Sequence, residues 1–236
     1  MRADYRPIAL NLLRKGKWFG SLPEDLQSSL LDNSMIRLVE ENQVLIAEET
    51  RPTGLFALLE GQVAITRQIA DRSDFFFHLG GPGFWFGESG LLNQEYTNIT
   101  ATARTKVKTL FLPASSFEKI VGAEPRYYRL FVQLVLSRYA IVMRHLGQSN
   151  SFPPEEYLRI RLADLSDMIH AEGFSTETVE LALSQTDLAA MVGSSRQTIN
   201  MFLKKLESKG LIEVGFRKIR ILDPCALRGE HRKTGL

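Results

Sequence analysis

The chain has 236 residues, of which 44% are apolar, 24% charged and 9% aromatic; these globular values exclude disordered, collagen-like and low-complexity classes and fit one or two domains. Its single cysteine, Cys225, excludes an intramolecular disulfide and cannot by itself build a thiolate zinc or iron–sulfur site. The formal net charge of +2 points to no partner, but residues 155–193 carry two Lys/Arg against eight Asp/Glu, whereas residues 194–236 carry ten against four.

A basic C-terminal end on a near-neutral chain offers a footprint for a polyanion; charge alone leaves a solvated tail as the alternative. No apolar stretch approaches the roughly 20 residues that cross a bilayer. The first twenty residues lack the apolar block and cleavage site of a signal peptide. A cytoplasmic protein without a membrane partner is therefore expected.

In chain order, short strands are expected at residues 44–46, 55–59, 62–66, 75–79, 98–105 and 107–112. Turn signals separate them: Pro52 before Gly54, Glu60-Gly61 as a hairpin-like connection, residues 71–74, and the glycine-rich stretch 80–83. This spacing suggests a small antiparallel barrel or roll. From Glu124 the period changes. Pro125 suits the first turn of a helix of about six turns, with one apolar stripe at Leu130, Leu134 and Ile141 and another at Phe131, Val135 and Val142. One stripe can pack on the β-domain while the other faces an identical helix; a single long core helix in a monomer is the alternative. Residues 150–154, with Pro153-Pro154, break the pattern as a hinge. A helix over 157–169, a loop over 172–178 and a short strand at 181–183 are expected to follow.

Residues 184–208 read SQTDLAAMVGSSRQTINMFLKKLES. Ser184 and Asp187 have the spacing of a capping box. A short helix follows, with Ala189 and Ala190 permitting close approach, and Gly193 permits a tight turn. Ser194 or Ser195 caps the next helix, which buries Ile199, Leu203 and Leu206 with Phe202 alongside and stops at Lys209-Gly210. This is a helix-turn-helix pattern, whose second helix enters the major groove; a purely structural helix pair is the alternative. With Ile199 and Leu203 inward, Arg196, Gln197 and Asn200 project outward. Arg can fork onto guanine, and Gln or Asn can bridge adenine. Lys204 and Lys205, a turn later, suit phosphates. Strands at 211–214 and 219–222 enclose Gly215-Phe216-Arg217-Lys218, a wing with cations at its tip.

From about Leu22 to Leu222 the chain resembles the Crp/Fnr family, the relatives of the cyclic-AMP receptor and the fumarate–nitrate regulator. The resemblance rests on LFALLEGQVAI (55–65), GGPGFWFGESGLL (80–92), ARTKVKTLFLP (103–113), the long helix, and LSQTDLAAMVGSSRQTINMFLKKLESKGLI (183–212). It implies an α+β protein in three parts. Residues 1–123 would form an N-terminal double-stranded β-helix, a β-roll like those that bind cyclic nucleotides. Residues 124–150 would form a long dimerisation helix, and residues 151–236 a C-terminal winged helix-turn-helix. It further implies a non-enzymatic transcriptional regulator, a homodimer on a near-palindromic double-stranded DNA operator, with RNA polymerase as a partner.

Ser195-Arg196-Gln197-Thr198 falls on the family's base-reading signature. The cyclic-AMP receptor has Glu where this chain has Gln197 and Arg where it has Met201, so a different operator is expected. The DNA-binding candidates are Ser195, Arg196, Gln197, Asn200, Lys204, Arg217 and Lys218.

For the effector, cyclic-AMP-binding relatives place an Arg-Ser pair about ten residues after a Gly-Glu pair. Gly87-Glu88 is present, but the Arg-Ser position holds Thr97-Asn98, or Asn98-Ile99 with the gap placed otherwise, and Arg104 is too late. A buried phosphate without its cation is costly. Arg144 and His145 stand where the family has Thr and Ser; Arg144 either replaces the cation or pairs at the dimer surface. The effector candidates are thus Gly87, Glu88, Thr97, Asn98 and Arg144, with Gly87-Glu88 as a simple turn the alternative. Ordinary cyclic-AMP binding is not expected; any effector would be another small molecule, and no cofactor is expected. The four histidines, at 78, 145, 170 and 231, form no His-x-His or His-x-x-x-His pair. That argues against a metal enzyme on the β-roll and against any metal site, and His78 as a haem ligand is disfavoured. A ligand-binding module whose winged helix docks on protein remains the competing class, and steep salt dependence would separate it from DNA binding.

Overall fold

The computed structural model describes residues 5–68, 75–169 and 178–228. The turn expected at 71–74, nearly all of the loop expected at 172–178, His170 and His231 lie outside the described residues. The chain forms two compact units: Met1–Ile65 with Gly80–Val142, and Thr66–Leu79 with Met143–Leu236.

The first unit opens with three short helices, α1 (Arg6–Arg14), α2 (Lys17–Gly20) and α3 (Glu24–Asp32). Ala9 and Leu13 on α1, and Leu26 and Leu30 on α3, are spaced four apart and fully buried. This is the single apolar stripe a short surface helix needs. The strands up to residue 113 are β1 (Met35–Val39), β2 (Val44–Ile46), β3 (Gly54–Glu60), β4 (Val63–Arg67), β5 (Phe75–Gly80), β6 (Trp85–Phe86), β7 (Thr100–Ala103) and β8 (Val107–Pro113), with α4 (Glu88–Asn93) between β6 and β7; of these, the end of β4 and nearly all of β5 are grouped with the second unit. They form two four-stranded sheets, ordered β1-β8-β3-β6 and β2-β7-β4-β5. In the first, β3 runs antiparallel to β8, with Leu55 opposite Leu112 and Ala57 opposite Leu110. Glu60-Gly61 is therefore not a hairpin. β3 is already flanked by β8 and β6, which leaves it no free edge, so the turn carries the chain into the other sheet.

After β8 come α5 (Ala114–Ala123) and α6 (Tyr127–Ser151). The long helix starts two residues later than Pro125. Glu124 before the proline is extended, at φ −138° and ψ 83°, as the steric demand of a following proline ring requires. Tyr127, Phe131 and Leu134 join the core of the first unit. The Trp18 indole donates to the Leu130 carbonyl at 2.7 Å, and the Tyr127 hydroxyl to Asp25 at 2.5 Å. Each expected stripe thus has a member buried in this unit, Leu134 of the first and Phe131 of the second, so neither stripe as a whole is left to face an identical helix. The large apolar residues of α6 left exposed are Val132, Leu136, Tyr139, Val142, Met143 and Leu146.

The second unit contains α7 (Pro154–Ile169), β9 (Val179–Leu181), α8 (Gln185–Val192), α9 (Arg196–Ser208), β10 (Ile212–Gly215), β11 (Lys218–Ile221) and α10 (Pro224–Arg228). β9 lies two residues earlier than the strand expected at 181–183. It completes a three-stranded antiparallel sheet ordered β10-β11-β9. Leu158, Leu162, Leu165, Leu181, Leu188, Ile199, Leu203, Ile212 and Ile221 are fully buried and hold α7, α8 and α9 on this sheet. The Arg161 side chain, also buried, donates to the Phe77 carbonyl at 3.1 Å and contacts the His145 ring. His145 lies 3.5 Å from Asp164.

Candidate nucleic-acid interface

The two helices α8 and α9 are built by local chemistry. Ser184 caps α8: its hydroxyl accepts from the Asp187 amide at 3.1 Å, while the Asp187 carboxylate accepts from the Ser184 amide at 2.8 Å. Both donors would otherwise lack partners at the helix start. Gly193 ends α8 at φ +70°, in the left-handed region that costs a glycine nothing. Ser195, not Ser194, caps α9, accepting from the Thr198 amide at 3.0 Å. Ile199, Phe202, Leu203 and Leu206 are buried.

That burial fixes the opposite face. Arg196 and Gln197 are exposed in the first turn, Asn200 is half-buried one turn on, and Met201 and Lys204 are exposed beyond it. Sequence reasoning missed Gln185, the first residue of α8. Its side-chain amide donates to Asn200 at 3.3 Å, and its side-chain oxygen accepts from the Arg196 Nε at 3.4 Å. One amide thus tethers two of the outward side chains. Its place just after the Ser184 cap is the only sequence signal that it faces the next helix.

The basic residues divide into two groups. Lys205 pairs with Glu155 of α7 at 2.7 Å, Lys218 with Glu180 of β9 at 2.9 Å, and Arg220 with Glu213 of β10 at 3.3 Å. Both lysines, expected to suit phosphates, thus also meet carboxylates of α7 and β9, in pairs that lie at the surface with each lysine side chain about half exposed. Arg196, Lys204 and Arg217 keep their exposed positions. Arg217 lies at the wing tip beside Phe216.

The effector candidates are not brought together as a set. Gly87 caps α4 at φ +99°, where a β-carbon would lie 2.6 Å from the Gly54 carbonyl oxygen. Gly87 and Thr97 line one cleft of about 380 Å³, walled otherwise by residues 44–47 and 50–54. The Thr97 hydroxyl is spent inside the protein, donating to the Ala47 carbonyl at 2.5 Å, and Asn98 is exposed. Glu88 is buried and turns to a cation that the sequence reading did not single out. The Arg138 Nε lies 3.9 Å from its carboxylate, the Arg138 Nη2 donates to the Trp85 carbonyl at 2.9 Å, and the guanidinium covers the Phe84 ring at 4.3 Å. Burial pushes the Glu88 carboxyl above its ordinary value, partly opposed by Arg138, and burial pulls the Arg138 guanidinium down. Arg144, by contrast, is exposed. Arg138 was legible in principle, since it follows Phe131 and Leu134 at i+7 and i+4 on the inward stripe. Among the described residues, no group of three or more His, Cys, Asp or Glu could hold a metal ion.

Residues 36–124 match the cyclic nucleotide-binding domain family, and residues 154–230 match the Crp-like helix-turn-helix domain family. The chain is 26% identical over 206 residues to the "Probable transcriptional regulator flp" of Lacticaseibacillus casei, covering 87% of this chain and 91% of that protein. It is 30% identical over 148 residues to the HTH-type transcriptional regulator Cmr of Mycobacterium tuberculosis, covering 62% of this chain and 56% of that protein. The solved structure of FixK2 from Bradyrhizobium japonicum shares the fold, with a TM-score of 0.69 at 18% identity over 82% of this chain and 95% of that one.

Proposed function

Because the chain belongs to the Crp/Fnr family of DNA-binding transcriptional regulators, we propose that it acts as a homodimer on a near-palindromic operator, with α9 reading bases through Arg196, Gln197 and Asn200. The observation that carries this reading is the placement of those three side chains, capped by Ser195 and tethered by Gln185, opposite the buried face of α9. Met201 adds an apolar contact suited to a thymine methyl, and Lys204 and Arg217 supply charge for phosphates. The heptad spacing of Val132, Leu136, Tyr139, Met143 and Leu146 supports dimerisation, because apolar residues alternately four and three apart form the seam of a coiled coil. A dimer would set two recognition helices about 34 Å apart, one turn of DNA. Contact with RNA polymerase and a place in the cytoplasm complete the reading.

The β-roll is inferred to respond to something other than ordinary cyclic AMP, if to any small molecule. Arg138 already sits at Glu88, and Thr97 and Asn98 offer no cation for a cyclic phosphate. An effector would act by favouring one arrangement of the dimer over another.

Selection of bound sites from random DNA tests the base-reading role. The native chain should enrich a palindrome, and Arg196→Ala should lose discrimination at one or two base pairs per half-site, by about 1–3 kcal/mol. Uniform weakening across all sequences would instead assign Arg196 to the phosphate backbone.

A further inference from the structure

Phe216 is 91% exposed, more than any other large apolar residue among those described. Gly215 pairs with Lys218 across the hairpin, so Phe216 and Arg217 are the two central residues of its turn. Neither is chosen for the turn. Arg217 holds φ +54°, in the left-handed region that glycine and asparagine favour and other side chains avoid. Tight hairpins ordinarily place Asn or Gly there. Phe216 gains nothing by burial. A turn that would be easier to form with other residues keeps an aromatic ring and a guanidinium side by side in solvent, and such placement is characteristic of contact sites.

The tip also stands on a fixed arm. The Val214 amide donates to the Glu207 carboxylate of α9 at 2.9 Å, the Leu222 amide donates to the Leu211 carbonyl at 2.9 Å, and Ile212 is fully buried. The wing is thereby continuous with the recognition helix. Lys218 and Arg220 along its strands are balanced by Glu180 and Glu213, so Arg217 carries the cationic character of the tip. Apolar side chains wedge between base steps in the minor groove, and the negative potential of a narrow minor groove attracts arginine.

We propose that Phe216 makes an apolar contact in the minor groove of duplex DNA flanking the site read by α9, with Arg217 on the adjoining phosphate. The wing then reads the deformability of the flanking DNA as well as clamping its backbone. The proposal rests on the DNA-reading role of α9 given above, and its partner is DNA, not a protein surface.

The test uses the full chain and duplexes carrying its selected operator, with 2-aminopurine placed in the flanks as a reporter of unstacking. On binding the native protein, flank fluorescence should rise. Phe216→Ala should abolish that rise and weaken binding about ten-fold, with an unchanged dependence on salt. Arg217→Ala should instead reduce the salt slope by about one unit, the share of a single phosphate contact. The melting temperature of Phe216→Ala should equal that of the native chain, since the ring touches no core. Equal affinity and equal fluorescence for Phe216→Ala, beside intact operator discrimination, would overturn this proposal alone; loss of polymerase binding in that variant would then assign the ring to a protein partner. Failure of the native chain to prefer its operator over random DNA would overturn the base-reading role as well.

Discussion

Glu88 is a carboxyl group held out of water beside one guanidinium 3.9 Å away. Burial raises its proton affinity above the ordinary value of 4.5, and Arg138 offsets only part of this. The folded chain therefore holds this proton more tightly than the unfolded chain does. The resulting stability is fully present below pH 4.5 and is lost as pH rises through the folded value. Replacing Glu88 with Gln removes the titration. Urea unfolding at steps from pH 4.5 upward should show the native chain declining relative to Glu88→Gln; parallel curves would mean that the carboxyl ionises normally. At this scale the base-reading candidates were legible because a cap, a glycine and a few buried positions orient Arg196 and Gln197 locally. The inward place of Arg138 could be read from its spacing to Phe131 and Leu134, but its pairing with Glu88 could not, because Glu88 lies fifty residues earlier and no local pattern joins them. The ion pairs of Lys205 and Lys218 were hidden for the same reason: the carboxylates they meet come from α7 and β9.

The turn between α8 and α9 depends on backbone freedom at one position. A β-carbon at Gly193 would meet nothing within 4 Å, yet φ is +70°. Gly193→Ala should therefore cost about 1–2 kcal/mol through the backbone alone, without a steric clash. Thermal or chemical unfolding should show that loss, while the order of preference among operator variants stays unchanged. A loss much larger than this would mean that the turn rearranges. The contrast with the β-roll explains what could be read in advance. Helix caps and i, i+4 burial lie within a dozen residues, so α8, α9 and the wing follow from the sequence nearly position by position. Strand partners do not: β1 pairs with β8 some seventy residues later, β6 has only two residues, and the partners of β3 lie in two distant segments. The same non-locality turned the Glu60-Gly61 connection from a hairpin into a crossing between sheets.

For the molecule as a whole, the proposed dimer hangs on the exposed seam of α6. Leu136 is 56% exposed in the single chain and stands near the seam's midpoint. Leu136→Glu would set two carboxylates against each other there. Sedimentation should show a monomer where the native chain is a dimer, and operator affinity should fall because two half-sites no longer bind as one unit. A dimer that survives this change would place the contact elsewhere. The two halves of α6 also differ in what holds them. Its first turns are tied by Trp18 and Tyr127, whereas Met143 and Leu146 near its end remain bare on their outer side. His145 between them meets Arg161 and Asp164 of α7 on the other side of the helix, but in the proposed assembly a second copy covers the outer side of those turns, so their helicity is coupled to the pairing of subunits. Dilution would then fray the end of the helix just before the segment that leads to α7 and the reader of DNA, and cellular abundance would itself tune how firmly that reader is held.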